Sequence, residues 1–368
     1  MKKFFLLFFS VVHLCTYAQL TTTPNGGNKK AAVYERVGLT DVTIHYDRPG
    51  VKGREGKIWG QVVPVGFTDL GFGTSKSAPW RAGANECTTI EFSTPVKIEG
   101  RDLPAGKYGF FIAYDPASPT LIFSKNNTAW GSFFYKPEED VLRVNVKPVP
   151  QPVSTEWLKY EFTDETESGA TVALVWEKLR IPFKVETDLQ KNQLDIFRKE
   201  LVSEKSFQPG WQSWVQAAQY CLANKTNLEE ALQWAEMAVS GVFIGQQNFT
   251  TLSTKANVLA ALGRTDEAKA TMQKALPMGQ MTEVHVYARQ LLQQKKTKEA
   301  FDAFKMNYDK FPNQFTTNVG MARGYSAMGD YKTALDYAQK ALAQAPDAGN
   351  KASMENMVKK LQEGKDGN

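Results

Sequence analysis

The chain has 368 residues, 42% apolar and 12% aromatic, enough for packed cores in two or more domains. Its formal charge of +5, which falls to +3 without Lys2 and Lys3, leaves no electrostatic footprint for nucleic acid. Beyond residue 18 the only cysteines are Cys87 and Cys221, so a disulfide framework is excluded and both read as partly buried free thiols.

The chain opens MKKFFLLFFSVVHLCTYAQ: two lysines, an apolar run from Phe4 to Leu14, then small residues up to Ala18. That layout predicts a signal peptide over residues 1–18, cleaved after Ala18. The run of about 11 residues is too short for a membrane span, which needs roughly 20. Leu14 before Cys15 argues against a lipoprotein, because lipid attachment calls for a small side chain there. The expectation is an exported protein, periplasmic or extracellular, with no transmembrane segment and a flexible stretch over 19–32.

From residue 33 to about 187 apolar residues recur at every second position, in short runs bounded by Gly, Pro, Asn and Asp. The runs 42–46, 88–92, 107–114, 120–123, 141–146, 158–162 and 171–176 predict strands, and so many short strands predict an antiparallel β-sandwich. Pro104-Ala105-Gly106 and Pro137 mark breaks, and residues 163–168 read as a hairpin loop.

After Pro182 the apolar spacing shifts to three and four, and residues 188–368 read as helical. Ala231, Ala268, Ala300 and Ala334 occupy matching places in an internal repeat, at separations of 37, 32 and 34 residues. A small residue there lets the two helices of a hairpin approach closely. The unit NVGMARGYSAMGDYKTALDYAQKALAQAPD fits best, with Gly329 in its turn and Pro346 at its end. This half resembles the tetratricopeptide repeat (TPR) family over roughly 205–347. The first and third units lack the turn glycine that Gly263 and Gly329 supply. The fold class is therefore two-domain, all-β plus all-α: a β-sandwich followed by a TPR-like α-solenoid.

In the β-half, VTIHYDRPGVKGR (42–54), KIWG (57–60), WRAGANE (80–86) and LPAGKYG (103–109) occur in order, with Trp130-Gly131 and the strand ending at Trp176. Together they resemble a family of exported bacterial domains of unknown function, DUF2911, found mainly in Bacteroidetes and with C-terminal helical repeats in some members. The resemblance covers about 35–186 and implies no activity. Residues 67–79, just before WRAGANE, read as an insertion.

Catalytic chemistry has little to build on. Beyond the leader there are only His45 and His285, which excludes a His-rich zinc site, and no phosphate-binding loop, HExxH or GxSxG occurs. No metal and no cofactor is expected. Asp47, Glu86, Glu91 and Asp164 keep carboxylate acid–base chemistry open. The polar and aromatic set Arg48, Trp59, Trp80, Arg81, Asn85 and Glu86 has two readings: a small pocket for a glycan or other ligand, even a hydrolase cleft, or a turn held together by Arg81, Asn85 and a positive φ at Gly83. On the solenoid, Trp214, Asn257, His285, Arg289, Asn318 and Arg323 are the candidates for a concave face that holds a partner protein or peptide. The leading expectation is a non-enzymatic protein of the cell envelope that binds its partner through the repeats.

Overall fold

The structure is a computed structural model that describes residues 27–208 and 210–368. The signal segment and the start of the 19–32 stretch lie outside the described residues. The chain divides into two compact units between Gln193 and Leu194.

The first unit is a two-sheet antiparallel sandwich. Its strands are β1 (Lys29–Val37), β2 (Thr40–Arg48), β3 (Thr88–Phe92), β4 (Val96–Ile98), β5 (Arg101–Leu103), β6 (Gly106–Ala113), β7 (Thr120–Ser124), β8 (Asp140–Asn145), β9 (Val149–Thr163) and β10 (Gly169–Thr187). One sheet has the order β1-β2-β3-β6-β7-β8 and the other β5-β4-β10-β9. Alternate residues of both sheets, among them Ile44, Ile90, Phe110, Phe123, Trp176 and Phe183, form one buried core between them.

Two strands differ from the sequence expectation. β1 begins at Lys29, inside the stretch expected to be flexible, and pairs with β2 along its whole length, from Lys29 opposite Arg48 to Val37 opposite Thr40. It is an edge strand whose side chains are mostly exposed or half-buried, so its apolar alternation is faint. β10 runs through Pro182, with Ile181, Phe183 and Val185 all in the core. Register shifts flank Glu177, which sits at φ 52°. The bulge breaks the alternation that otherwise marks a single long strand.

The sheet's outer face carries a second, smaller core. Cys87, Phe111, Ala113, Ile122 and Tyr135 are buried there, beneath the segment that follows β7. Gly109 lets this segment cross, because a Cβ at that position would collide with Asn126 O.

The second unit is an array of helical hairpins. After α1 (Leu189–Leu201) and the short α2 (Glu204–Phe207) come α3 (Trp211–Asn224) with α4 (Leu228–Ser240), α5 (Phe249–Ala261) with α6 (Thr265–Ala275), α7 (Met281–Gln293) with α8 (Thr297–Lys310), and α9 (Phe315–Ala327) with α10 (Tyr331–Ala343). The array closes with α11 (Ala348–Gln362). Ala231, Ala268, Ala300 and Ala334 are all buried on the second helices, and one repeat of seven later Ala238, Ala275 and Ala341 are buried too. In the third unit Asn307 takes that place: its Nδ2 donates to Met281 O at 2.8 Å, while its Oδ1 is buried without a partner.

The turn between the helices of each hairpin needs one residue in the left-handed region. Gly263 (φ 78°) and Gly329 (φ 83°) supply it in units two and four, and Lys225 (φ 50°) and Lys295 (φ 60°) in units one and three. A Cβ in that conformation costs about 1 kcal/mol, so two of the four turns are strained. The 37-residue spacing between Ala231 and Ala268 reflects the longer loop after Ser240. That loop is pinned by Gln246 N to Ala238 O (2.9 Å) and by Trp211 Nε1 to Gln246 Oε1 (2.8 Å).

Candidate functional site

The WRAGANE segment folds as a clamp. Trp80 exchanges backbone bonds with Ile112 (2.9 and 2.8 Å), which fixes its ring against Trp176 at 6.0 Å and edge-on to Trp59 at 5.8 Å. The indole Nε1 donates to Gly83 O at 3.2 Å. Trp59 in turn packs on Tyr114 at 4.9 Å. Both tryptophans pack on the core between the sheets rather than forming a stacking platform for ligand. Arg48 is also taken up locally: its Nε donates to Leu158 O at 2.7 Å.

Arg81 does not pair with a carboxylate. Its Nη1 donates to Asn85 O at 2.8 Å, and its guanidinium lies 5.4 Å from the Trp130 ring and 5.9 Å from that of Phe133. Residues 85–87 and 129–131 pair through Cys87 N to Ala129 O (2.9 Å) and Gly131 N to Asn85 O (3.1 Å). Arg81 therefore braces the two strands of this small ladder. The positive φ expected at Gly83 falls instead on Ala82 and Asn85, both at 53°. Gly83 is needed for close approach: a Cβ there would lie 2.8 Å from Thr88 Oγ1 and 3.0 Å from Asp47 O.

What the clamp positions is Glu86. Beside it opens a cleft of about 280 Å³ on the outer face of the first sheet, lined among others by Lys30, His45, Asp47, Glu86, Thr89 and Asn127. Period two on β2 puts Ile44 and Tyr46 in the core and His45 and Asp47 on the opposite face. Lys30 Nζ bonds Glu86 Oε1 at 2.9 Å. Asp47 is only 4% exposed, and its Oδ1 is buried without a hydrogen-bond donor. Burial, and then the adjoining Glu86 carboxyl, push Asp47 up to about 6. Lys30, and then the Asp47 carboxyl, hold Glu86 down at about 2. Asn85 accepts from Asn28 at 3.3 Å at the edge of this group. Cys87 is a buried free thiol, as is Cys221, and burial raises both. Lys30 was out of reach of sequence reasoning because its strand was not recognised. His45, Asp47 and Thr89 share one face by simple alternation.

In the second unit the candidates separate by burial. Trp214 is 8% exposed and belongs to the helical core. Asn318 is fully buried and donates to Gln344 Oε1 at 2.8 Å. The His285 ring packs on Phe304 at 5.4 Å. Burial, then Arg323 and Arg289, push it down to about 4, so it is neutral at physiological pH. Those three therefore pack the array. Asn257 is exposed and lines a groove of about 360 Å³ between the first helices α5 and α7, with Phe249, Ser253, Val286, Tyr287 and Gln290. Arg289 is exposed on α7. Arg323, on α9, is half-buried and bonds Asn368 Oδ1 at 3.3 Å. Here the end of the chain lies on α9: Ser326 Oγ donates to Asp366 Oδ1 at 2.6 Å and accepts from Gly367 N at 2.8 Å.

Among the described residues no group of three or more His, Cys, Asp or Glu converges as a metal set, and no helix is long and apolar enough to cross a membrane.

Residues 28–185 match the family described as Protein of unknown function (DUF2911). The DUF2911 match thus begins just before β1 and ends within β10. For the helices, the chain is similar to YrrB, a TPR protein with an unusual peptide-binding site. The identity is 17% over 46% of this chain and 86% of that one, with a TM-score of 0.30. It is also similar to the APC/C hetero-tetramer Cut9-Hcn1, at 16% identity over 47% of this chain and 33% of that one, with a TM-score of 0.32. No curated protein matches the chain. The TPR-like character of the second unit rests on its own helix pairing, turn residues and buried alanines.

Proposed function

We propose that the protein is exported and that its helical array binds an extended segment of a partner protein or peptide along the groove between α5 and α7. The groove itself carries the reading. Its walls are first helices of successive hairpins, and it combines an apolar strip, with Val286 52% exposed, with the amides of Asn257 and Gln290. An amide side chain offers both a donor and an acceptor, which matches the backbone of an extended peptide without dictating its sequence. The exposed valine and half-buried aromatics supply apolar contact. On the α7–α9 side, Arg289 stands near Arg323, and Ser326 already holds Asp366, so an acidic residue in the partner suits that end.

The test is to select binders from a random peptide library on the full-length mature chain, and then to map the site by hydrogen exchange with the selected peptide added. The reading predicts slowed exchange confined to α5, α7 and α9. Protection confined to the DUF2911 domain, or selection of no peptide, would refute it.

A further inference from the structure

The outer-face cleft of the first unit is independent of the solenoid groove, and its chemistry points elsewhere. Its floor is a carboxyl, Asp47, that is only 4% exposed and has one oxygen with no donor. A buried acceptor left without a donor is costly and rare, and at a cavity it marks a place where the donor arrives from outside. Over it stands Glu86, whose side chain is 50% exposed and tied to Lys30, itself 64% exposed. An exposed ion pair of this kind holds its partners weakly, so Glu86 swings aside at little cost.

Charge narrows what can enter. Lys30 at the rim opposes a cationic ligand, and Asp47 and Glu86 oppose an anionic one. The groups facing Asp47 are Lys30 on β1, His45 on β2, and Asn85, Glu86 and Cys87 ahead of β3, and their mixture of signs favours a neutral molecule. Thr89, Asn127 and Thr128 add hydroxyl and amide groups to the lining. Each is both donor and acceptor, as a hydroxyl ligand is. The volume of about 280 Å³ falls just under the range for drug-sized ligands, about 300–1,000 Å³, and is enough for one ring.

We propose that this cleft binds a neutral polyhydroxylated ligand the size of a single sugar ring, with Glu86 as a side-chain gate and Asp47 accepting a ligand hydroxyl. Arg81 and the WRAGANE turn hold the gate in register and do not touch the ligand.

The experiment is saturation-transfer NMR on the full-length mature chain with a panel of neutral hexoses and N-acetylhexosamines. Glucosamine and glucose 6-phosphate serve as cationic and anionic probes. At least one neutral sugar binds at millimolar concentration, and both charged probes bind more weakly. Asp47→Asn, which replaces a charged acceptor with a neutral one, and, as a second variant, Thr89→Val, which removes a hydroxyl, each weaken binding by about tenfold, with neither melting temperature falling enough to unfold the chain. Peptide binding by the solenoid stays unchanged in both, which separates this result from the preceding one. Binding of no neutral sugar, binding by both variants as tight as by the wild-type chain, or tighter binding of a charged probe overturns the proposal.

Discussion

Replacing Asp47 with Asn should stabilise the protein, and only above mildly acid pH. The carboxyl titrates near 6 in the folded chain against an ordinary value of about 3.9. A carboxyl raised on folding binds more protons in the folded state, so its contribution to stability falls as pH rises from about 4 through about 6 and then stays constant. A rise of that size corresponds to about 3 kcal/mol above pH 7. Solvent screening reduces that figure, and a further part is returned by Glu86, whose low value depends partly on Asp47. The net expectation for Asp47→Asn at pH 7.5 is a gain of about 1–2 kcal/mol, or roughly 3–6 °C in melting temperature for a domain of this size. Near pH 4 the gain disappears, because the wild-type carboxyl is then protonated. Amide hydrogen exchange at the core strands around Ile44, Ile90 and Phe110, read residue by residue, reports the β-unit separately from the helices. A variant that melts lower than wild type at both pH values would show that Asp47 is an ordinary structural acceptor, and the account of the cleft fails with it.

Further substitutions test the framework around the two sites. Gly83→Ala forces a Cβ against Thr88 Oγ1 and Asp47 O and should cost about 1–3 kcal/mol by overpacking, read as a lower denaturation midpoint in urea. Arg81→Ala loses the bond to Asn85 O and the contact with Trp130 and Phe133; the expected loss is about 2 kcal/mol, with faster amide exchange at Cys87 and Gly131, and Arg81→Lys restores little of it. Lys225→Gly and Lys295→Gly each relieve a left-handed turn residue and should each raise stability by about 0.5–1 kcal/mol, whereas the same change at Lys332, inside α10, should lower it.

How far these sites could be read in advance depends on where each residue's constraint comes from. The alternation around Ile44 and Tyr46 and the spacing of Ala231, Ala268, Ala300 and Ala334 are local patterns set by burial, and they pointed to the sandwich and to the helical hairpins. β1 escaped because an edge strand with Lys, Tyr, Glu and Arg among its side chains keeps little alternation, and Lys30 escaped with it. Trp59 and Trp80 look like a ligand platform in sequence, yet they face the core, because Trp80 pairs with Ile112 and fixes the direction of its ring. Arg81 and Glu86 lie five positions apart and carry opposite charge, but the turn sends one onto Trp130 and the other to Lys30. That divergence depends on left-handed Ala82 and Asn85, neither of which announces such a conformation. Asn257 and Asn318 are alike in sequence and differ only in burial, which the helix repeat leaves undetermined.

The account's central claim is that the α5–α7 groove is where the protein holds its partner. Its most direct test is the dissociation constant of one library-selected peptide, measured by isothermal titration calorimetry for the wild-type chain and for Val286→Arg. Val286 is 52% exposed, so the substitution leaves the fold intact while placing a long charged side chain across the apolar strip. Binding weakened by about tenfold or more, with an unchanged melting temperature, is the predicted result. Equal affinity for both chains would contradict it.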